Sequence, residues 1–272
     1  MTDTLRFLVR AAHEFRRGGW VFTGFHWPVL AGQLAARLPA EPGEPTEPGG
    51  PAEPGGPAEP GFVQCFEAGA GVWGPARLVP SSTTDYPSYA NGLHYVAESG
   101  DVLLALARRF DRVVLDAANV DLRGRVNSSF IGRREQPTVR LPGGGGSADI
   151  VARAAEVVWL HGGDDPRRVQ ARVEHVTAAP AADALVRLHC RWGTVRLGAS
   201  PALTQIVPDA AGAEGFATHL AALGVDVTQA VSCPDVRPDE LAAARAVLVD
   251  AAERGYDVAE RALREEREEA AP

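Results

Sequence analysis

The sequence predicts an α/β fold, an open sheet flanked by helices. Apolar runs of strand length recur along the chain, and patterns with helical spacing alternate with them across glycine- and proline-bearing loops. Length agrees: 272 residues with 45% hydrophobic content can bury a real core, as one large α/β domain or two small ones.

Leu5, Leu8, Val9, Ala12 and Phe15 recur at helical spacing with Arg6, Arg10, Arg16 and Arg17 between them. Gly18-Gly19 stops this amphipathic first helix. Trp20 to Thr23 reads as a short buried strand, Gly24 to Trp27 as a loop, and Pro28 as the first turn of a helix carrying Leu30, Leu34 and Leu38. His26 lies in that strand-to-helix loop, where open α/β sheets place ligands; a hydrogen-bonded loop histidine fits the same position. Residues 39–61 repeat Pro, Glu, Gly and Ala with almost nothing to bury. They are expected to be a disordered, acidic insertion that interrupts one domain, since lengthening a surface loop costs little.

Phe62, Val63, Cys65 and Phe66 then deliver a single carboxylate, Glu67, into the glycine-punctuated stretch FEAGAGVWGP. Gly69 and Gly71 let other backbone or a ligand approach closely, so Glu67 can serve as a nucleophile. On the local pattern alone, an N-capping or surface glutamate is the reading favoured. Further on, Asp101 to Arg109 is expected to be a helix with Leu103, Leu104 and Leu106 inward, and Arg112 to Leu115 a strand. Gly143, Gly144, Gly145 and Gly146 precede a helix expected over Ser147 to Ala155. Such a loop can cradle a phosphate or carboxylate through its N–H groups, and is also what a flexible linker looks like.

Glu156 to Leu160 reads as a strand ending at His161, which either faces a ligand or is a solvated strand-end histidine. Val169 to Thr177 alternates like another strand. Val186 to Cys190 and Thr194 to Leu197 flank Arg191-Trp192-Gly193 as a hairpin. Residues 213–223 and 238–264 carry helical patterns, and 265–272 form a charged, frayed tail.

Composition removes several classes of function. The net charge is −8 and all 27 basic residues are arginines, scattered along the chain, which argues against a nucleic-acid partner. The absence of lysine excludes Schiff-base chemistry and a P-loop lysine. Cys65, Cys190 and Cys233 are odd in number and far apart, suggesting neither a disulfide framework nor a zinc site, and a reducing cytoplasm fits them best. No signal-peptide pattern opens the chain and no apolar run reaches membrane-spanning length.

Four stretches stand in an order that resembles a known family. They are GGWVFTGFHWPVLAGQLAARL, FEAGAGVWGP, NVDLRGRVNSSFIG, and RLPGGGGSADI with the following VVWLH. From about Leu5 to about Leu263, without the insertion, the chain resembles the β subunit of family I coenzyme A transferases, of the glutaconate and 3-oxoacid kind. The resemblance implies an open, mostly parallel sheet flanked by helices of the CoA-transferase type, as one domain over 1–264. It implies that Glu67, in a Glu-x-Gly turn with Gly69, attacks an acyl-CoA to give an acyl-glutamyl anhydride and then a glutamyl-CoA thioester, which a second carboxylic acid captures. A carboxylate suits this, because the residue type is ionised at neutral pH without a partner base.

The resemblance further implies that Gly143 to Gly146 bring backbone close to CoA or the acyl group and that Asn119 contacts substrate, while His26 is a candidate substrate contact from its place in the strand-to-helix loop. Coenzyme A enters as a thioester substrate, with no bound cofactor and no metal. The expected partner is an α-like CoA-transferase subunit, in a heterodimer or heterotetramer, with acyl-CoA and a carboxylic acid as small-molecule partners and no nucleic acid or membrane. The chain departs from the family pattern in two places. Asn119-Val120-Asp121 replaces a Gln-x-Asp, and Gly124-Arg125 replaces a Gly-Asn, which leaves acyl specificity open. The alternatives are a relative that hydrolyses, decarboxylates or ring-opens an acyl-CoA, and a non-catalytic acyl-CoA-binding partner subunit.

Overall fold

The computed structural model describes residues 3–39, 61–74, 76, 78–85 and 92–269. Most of the proline-rich insertion, 40–60, lies outside them, as do 86–91 and 270–272. The chain divides into two compact units, Met1–Val114 with Asp235–Pro272, and Leu115–Pro234.

In the first unit, helix α1 (Asp3–Arg16) leads through Gly18 into strand β1 (Gly19–Thr23), helix α2 (Trp27–Arg37) and strand β2 (Phe62–Phe66). Strands β3 (Ala70–Val72), β4 (Leu93–Val96) and β5 (Arg112–Asp116) complete the sheet, in the order β5-β1-β2-β3-β4. β1 runs parallel to both β5 and β2, whereas β2, β3 and β4 pair antiparallel. All five residues of β2 are buried, which is why its sequence is a nearly unbroken apolar run instead of an alternating one.

Helix α2 lies close against β2 because Gly32 has no side chain; a Cβ there would meet the Gln64 amide at 2.3 Å. α1 is less amphipathic in place than its sequence suggests. It packs against α2 and the C-terminal helix α5 (Pro238–Glu253), and Arg10, Glu14 and Arg16 are buried with its apolar residues. The long helix expected over 238–264 is two helices. Gly255, at φ +81°, ends α5, and α6 (Asp257–Glu269) doubles back on it, taking in the charged residues expected to fray. The 101–109 segment is also irregular, a π turn over Asp101–Ala105 and a 3-10 turn over Ala107–Arg109. Its leucines do not share one helical face: Leu104 is exposed, and Val102 and Ala107 are the buried residues.

The second unit carries a small three-stranded sheet, β11-β6-β7, of β6 (Asn119–Asp121), β7 (Val126–Asn127) and β11 (Val169–Gln170). A hairpin of β8 (Phe130–Arg133) and β9 (Gln136–Arg140) follows, then the short helix α3 (Ser147–Val151). The main strands are β10 (Glu156–His161), β12 (Leu185–Cys190), β13 (Gly193–Leu197), β14 (Ala202–Ile206) and β15 (Val231–Ser232), in the order β15-β14-β13-β12-β10, with helix α4 (Ala213–Ala222) alongside. β10 and β12 are parallel, and Cys190 pairs with Gly193 across the hairpin expected at Arg191-Trp192. Only Val169–Gln170 of the expected 169–177 strand pairs; the rest is turns. Trp159, fully buried on β10, donates its indole N–H to the Gly124 carbonyl at 2.9 Å, so its burial leaves no orphaned donor.

Each unit thus combines parallel with antiparallel strand pairs in a sheet flanked by helices, the α/β class that the alternating patterns predict.

Candidate active site

β1 and β2 are parallel and in register, with Thr23 beside Phe66, so the segments leaving their carboxyl ends emerge side by side. From β1 comes the Gly24-Phe25-His26 turn into α2; from β2 comes Glu67. Val29, in the first turn of α2, packs with Phe66, Ala70 and Val72, which brings the start of that helix against the Glu67 turn. His26, Glu67 and Gly69 are therefore gathered at one edge of the first unit.

Glu67 is half-buried in a tight turn closed by the Gly69 N–H donating to the Phe66 carbonyl at 3.0 Å. Among the described residues its carboxylate has no hydrogen-bond partner and no ion pair. Gly69 makes the turn possible: its φ is +101°, and a Cβ there would lie 1.7 Å from the Ala97 carbonyl oxygen. Gly69→Ala is expected to destabilise the chain by about 2–4 kcal/mol in urea unfolding, from overpacking against fixed backbone plus the left-handed conformation. The same substitution displaces Glu67, so activity should fall even where the protein stays folded. Cys65, two residues earlier, offers no rival nucleophile. Burial pushes its thiol up to about 12, so it carries no thiolate near neutrality.

His26 has the one positive φ of any non-glycine residue among those described, φ 62° with ψ −121°. That conformation costs an ordinary side chain on the order of 1–3 kcal/mol and persists only where surrounding contacts enforce it. The His26 ring lies against Phe25, with centroids 4.2 Å apart, and its carbonyl starts α2 by accepting from the Leu30 N–H. α2 has no side-chain N-cap, so its first turn presents backbone N–H groups with the positive end of the helix dipole.

Asn119 and the glycine loop belong to the second unit. Asn119 is buried, its Nδ2 donating to the Asn127 carbonyl at 3.4 Å and its Oδ1 accepting from Arg168 at 3.2 Å. The next residue, Ser128, accepts at its carbonyl from the Gly143 N–H at 2.7 Å, so Asn119 and the glycine loop lean on adjacent residues of one segment. Gly143 (φ +98°) has open space where a side chain would stand, whereas a Cβ on Gly144 would meet the Thr177 methyl at 2.6 Å. α3 is five residues long, shorter than expected, so the loop can offer close backbone approach but little helix dipole.

Arg125, one of the two departures from the family pattern, is a structural residue. Its Nε and Nη2 both reach Oδ2 of the fully buried Asp121, at 2.8 and 2.7 Å, within the hairpin that joins β6 to β7.

His161 is buried at the end of β10 and not solvated. Its Nδ1 lies 2.9 Å from the Ala117 carbonyl, which can only accept, so Nδ1 carries the proton; Nε2 is buried without a partner among the described residues. Burial holds the imidazole below its ordinary value of 6.5, outweighing the opposing effects of the Ala117 bond and Asp116. A depressed histidine stabilises the fold above the unfolded value. As pH falls below 6.5 the unfolded chain takes the proton first, and that stability is lost until the folded group also titrates. His161→Gln should flatten this part of the urea-midpoint profile between pH 7.5 and 5.

Sequence reasoning missed Phe25 and Tyr256. Phe25 is 37% exposed, and its ring lies 5.2 Å from that of Tyr256, which follows the α5 C-terminus. Their contact spans most of the chain and has no local signature. Among the described residues, no group of three or more His, Cys, Asp or Glu could hold a metal ion, and no helix is long and apolar enough to cross a membrane.

No family model matches the chain. Its sequence is 30% identical to the β subunit of 3-oxoadipate CoA-transferase from Pseudomonas knackmussii over 154 residues, 56% of this chain and 51% of that protein. Its structure is similar to that of glutaconate coenzyme A-transferase from Acidaminococcus fermentans, with TM-score 0.67 and 19% identity over 90% of this chain and 94% of that one. The chain shares the fold of that coenzyme A-transferase. The decarboxylase AibA/AibB shares it, with TM-score 0.68 and 22% identity over 90% of this chain and 94% of that one. The likeness to these solved structures is thus one of fold across nine-tenths of the chain, while the sequence match spans about half the length of the curated relative.

Proposed function

We propose that the chain is the β-like subunit of a heteromeric acyl-CoA:carboxylate CoA-transferase in a reducing cytoplasm, with 1–264 acting as one functional domain and Glu67 as its nucleophile. The observation that carries this reading is the Glu67 turn: a half-buried carboxylate, unpartnered among the described residues, at the carboxyl end of a fully buried parallel strand, held by a glycine that admits no side chain.

The Glu67 carboxylate attacks the thioester carbonyl and expels CoA thiolate, leaving an acyl-glutamyl anhydride. The thiolate returns to the glutamyl carbonyl and expels the acyl group as a carboxylate, leaving a glutamyl-CoA thioester. An incoming carboxylate attacks that thioester, and the thiolate then takes the new acyl group and releases Glu67. Every step exchanges one anion for another, so the cycle needs no metal, water or net proton transfer. The uncapped first turn of α2, packed beside the Glu67 turn, favours the anions formed along the way. Asn119 and Gly143 to Gly146 bind substrate in this reading, a role carried over from the family resemblance, and His26 does so from its place in the strand-to-helix loop.

Decarboxylation is the second reading, favoured by the likeness to AibA/AibB and by the departures at Asn119 and Arg125. The test is co-expression with an α-like subunit and incubation with dicarboxylyl-, 3-oxoacyl- or short branched acyl-CoAs plus a carboxylate acceptor. Transfer predicts one new acyl-CoA per donor consumed. Free CoA without an acceptor product supports hydrolysis, and released carbon dioxide supports decarboxylation; either outcome rejects transfer.

A further inference from the structure

The strained His26 turn needs something to hold it, and the first unit offers a specific candidate. Tyr256 is buried, 2% exposed, immediately after Gly255 has turned the chain out of α5. Its ring packs against Phe25 at 5.2 Å and meets His26 edge-on at 6.5 Å. Its hydroxyl donates to the Pro80 carbonyl, and neighbouring Arg254 donates to the Val79 carbonyl at 3.3 Å and pairs with Asp85 at 2.9 Å. The segment 79–85 is therefore fastened to the α5–α6 junction, and the tyrosine ring stands fixed at both ends, by its backbone and by its hydroxyl. A ring so fixed can hold Phe25 and His26 in a conformation that the backbone alone would leave.

We infer that Tyr256 is a positioning residue: its ring enforces the strained turn at His26 and so sets the imidazole at the edge of the sheet from which Glu67 emerges. Its importance to activity rests on the transferase reading, whereas its hold on the turn does not. The junction of the C-terminal helices thereby gains a part in the site.

A double-substitution cycle on the full chain tests the inference. His26→Gly relieves the strain and is expected to raise Tm by about 4 °C in the otherwise unaltered protein. In a Tyr256→Ala background, where the turn is already free to relax, the gain should drop below roughly half of that. Tyr256→Phe keeps the ring and should retain the full gain; Tyr256→Leu replaces the alanine variant if the latter does not fold. In the complex with the α-like subunit, Tyr256→Ala should lower kcat about 10-fold with KM changed less than about twofold, since it misplaces a group without removing one. An undiminished His26→Gly gain in the Tyr256→Ala background, or an unchanged kcat, overturns the inference. A complex that never loads CoA on Glu67 rejects the transferase reading while the stability coupling stands, so the two failures are distinguishable.

Discussion

On the proposed transferase function, Glu67→Ala and Glu67→Gln are expected to lower CoA transfer by on the order of 10⁴-fold or more, measured as kcat in the assembled complex. The size follows from the mechanism. In the proposed mechanism the carboxylate forms the covalent intermediate, so removing it leaves only binding and proximity, and Cys65, whose thiol burial holds up at about 12, cannot take its place. Glu67→Asp keeps the charge but withdraws the attacking oxygen by one methylene, and should fail almost as completely. None of these substitutions should lower Tm by more than a degree or two, because the side chain makes no hydrogen bond or ion pair among the described residues. A collapse in activity without a collapse in stability is the signature of a functional carboxylate, and the reverse marks a capping glutamate.

The second large effect is structural. Asp121→Ala is expected to destabilise the chain by about 3–5 kcal/mol in urea unfolding, the usual penalty for breaking a buried ion pair from one side. Its fully buried carboxylate accepts from the backbone N–H groups of Arg123, Arg125 and Val173 at 3.0, 3.1 and 3.3 Å, besides the Arg125 guanidinium. All of those donors lose their acceptor together. Arg125→Ala should cost less, about 1–3 kcal/mol, because the three backbone bonds survive to satisfy the carboxylate. The asymmetry gives the Arg125 departure a structural reading: it is the counter-ion of an anchor that joins β6, its hairpin and the segment at Val173.

These contrasts show what a sequence can carry. β1, β2 and the Glu67 turn were legible because buried parallel strands are written as unbroken apolar runs and glycines mark where they stop. The Arg191-Trp192 hairpin was legible for the same local reasons. Asp121 read only as one position of a motif, because its burial depends on the distant segment at Val173 as well as on Arg123 and Arg125 in its own hairpin, and no local pattern joins the two. The burial of His161 was not legible, because a strand-end histidine looks the same whether or not Gly163 closes over its ring, where a Cβ would stand 3.0 Å from Nε2. The His26 strain could not be read at all. The sequence there suggests an ordinary helix start with proline at its first turn, and the conformation is enforced by Tyr256 from the far end of the chain.

The measurement that bears most directly on Glu67 is the mass of its peptide. The complex with its α-like subunit, given acyl-CoA with no acceptor acid, should accumulate coenzyme A as a thioester on the peptide containing Phe66-Glu67-Ala68, and borohydride or hydroxylamine should discharge it. An unmodified peptide together with full turnover by Glu67→Ala would contradict the assignment of Glu67 as the nucleophile.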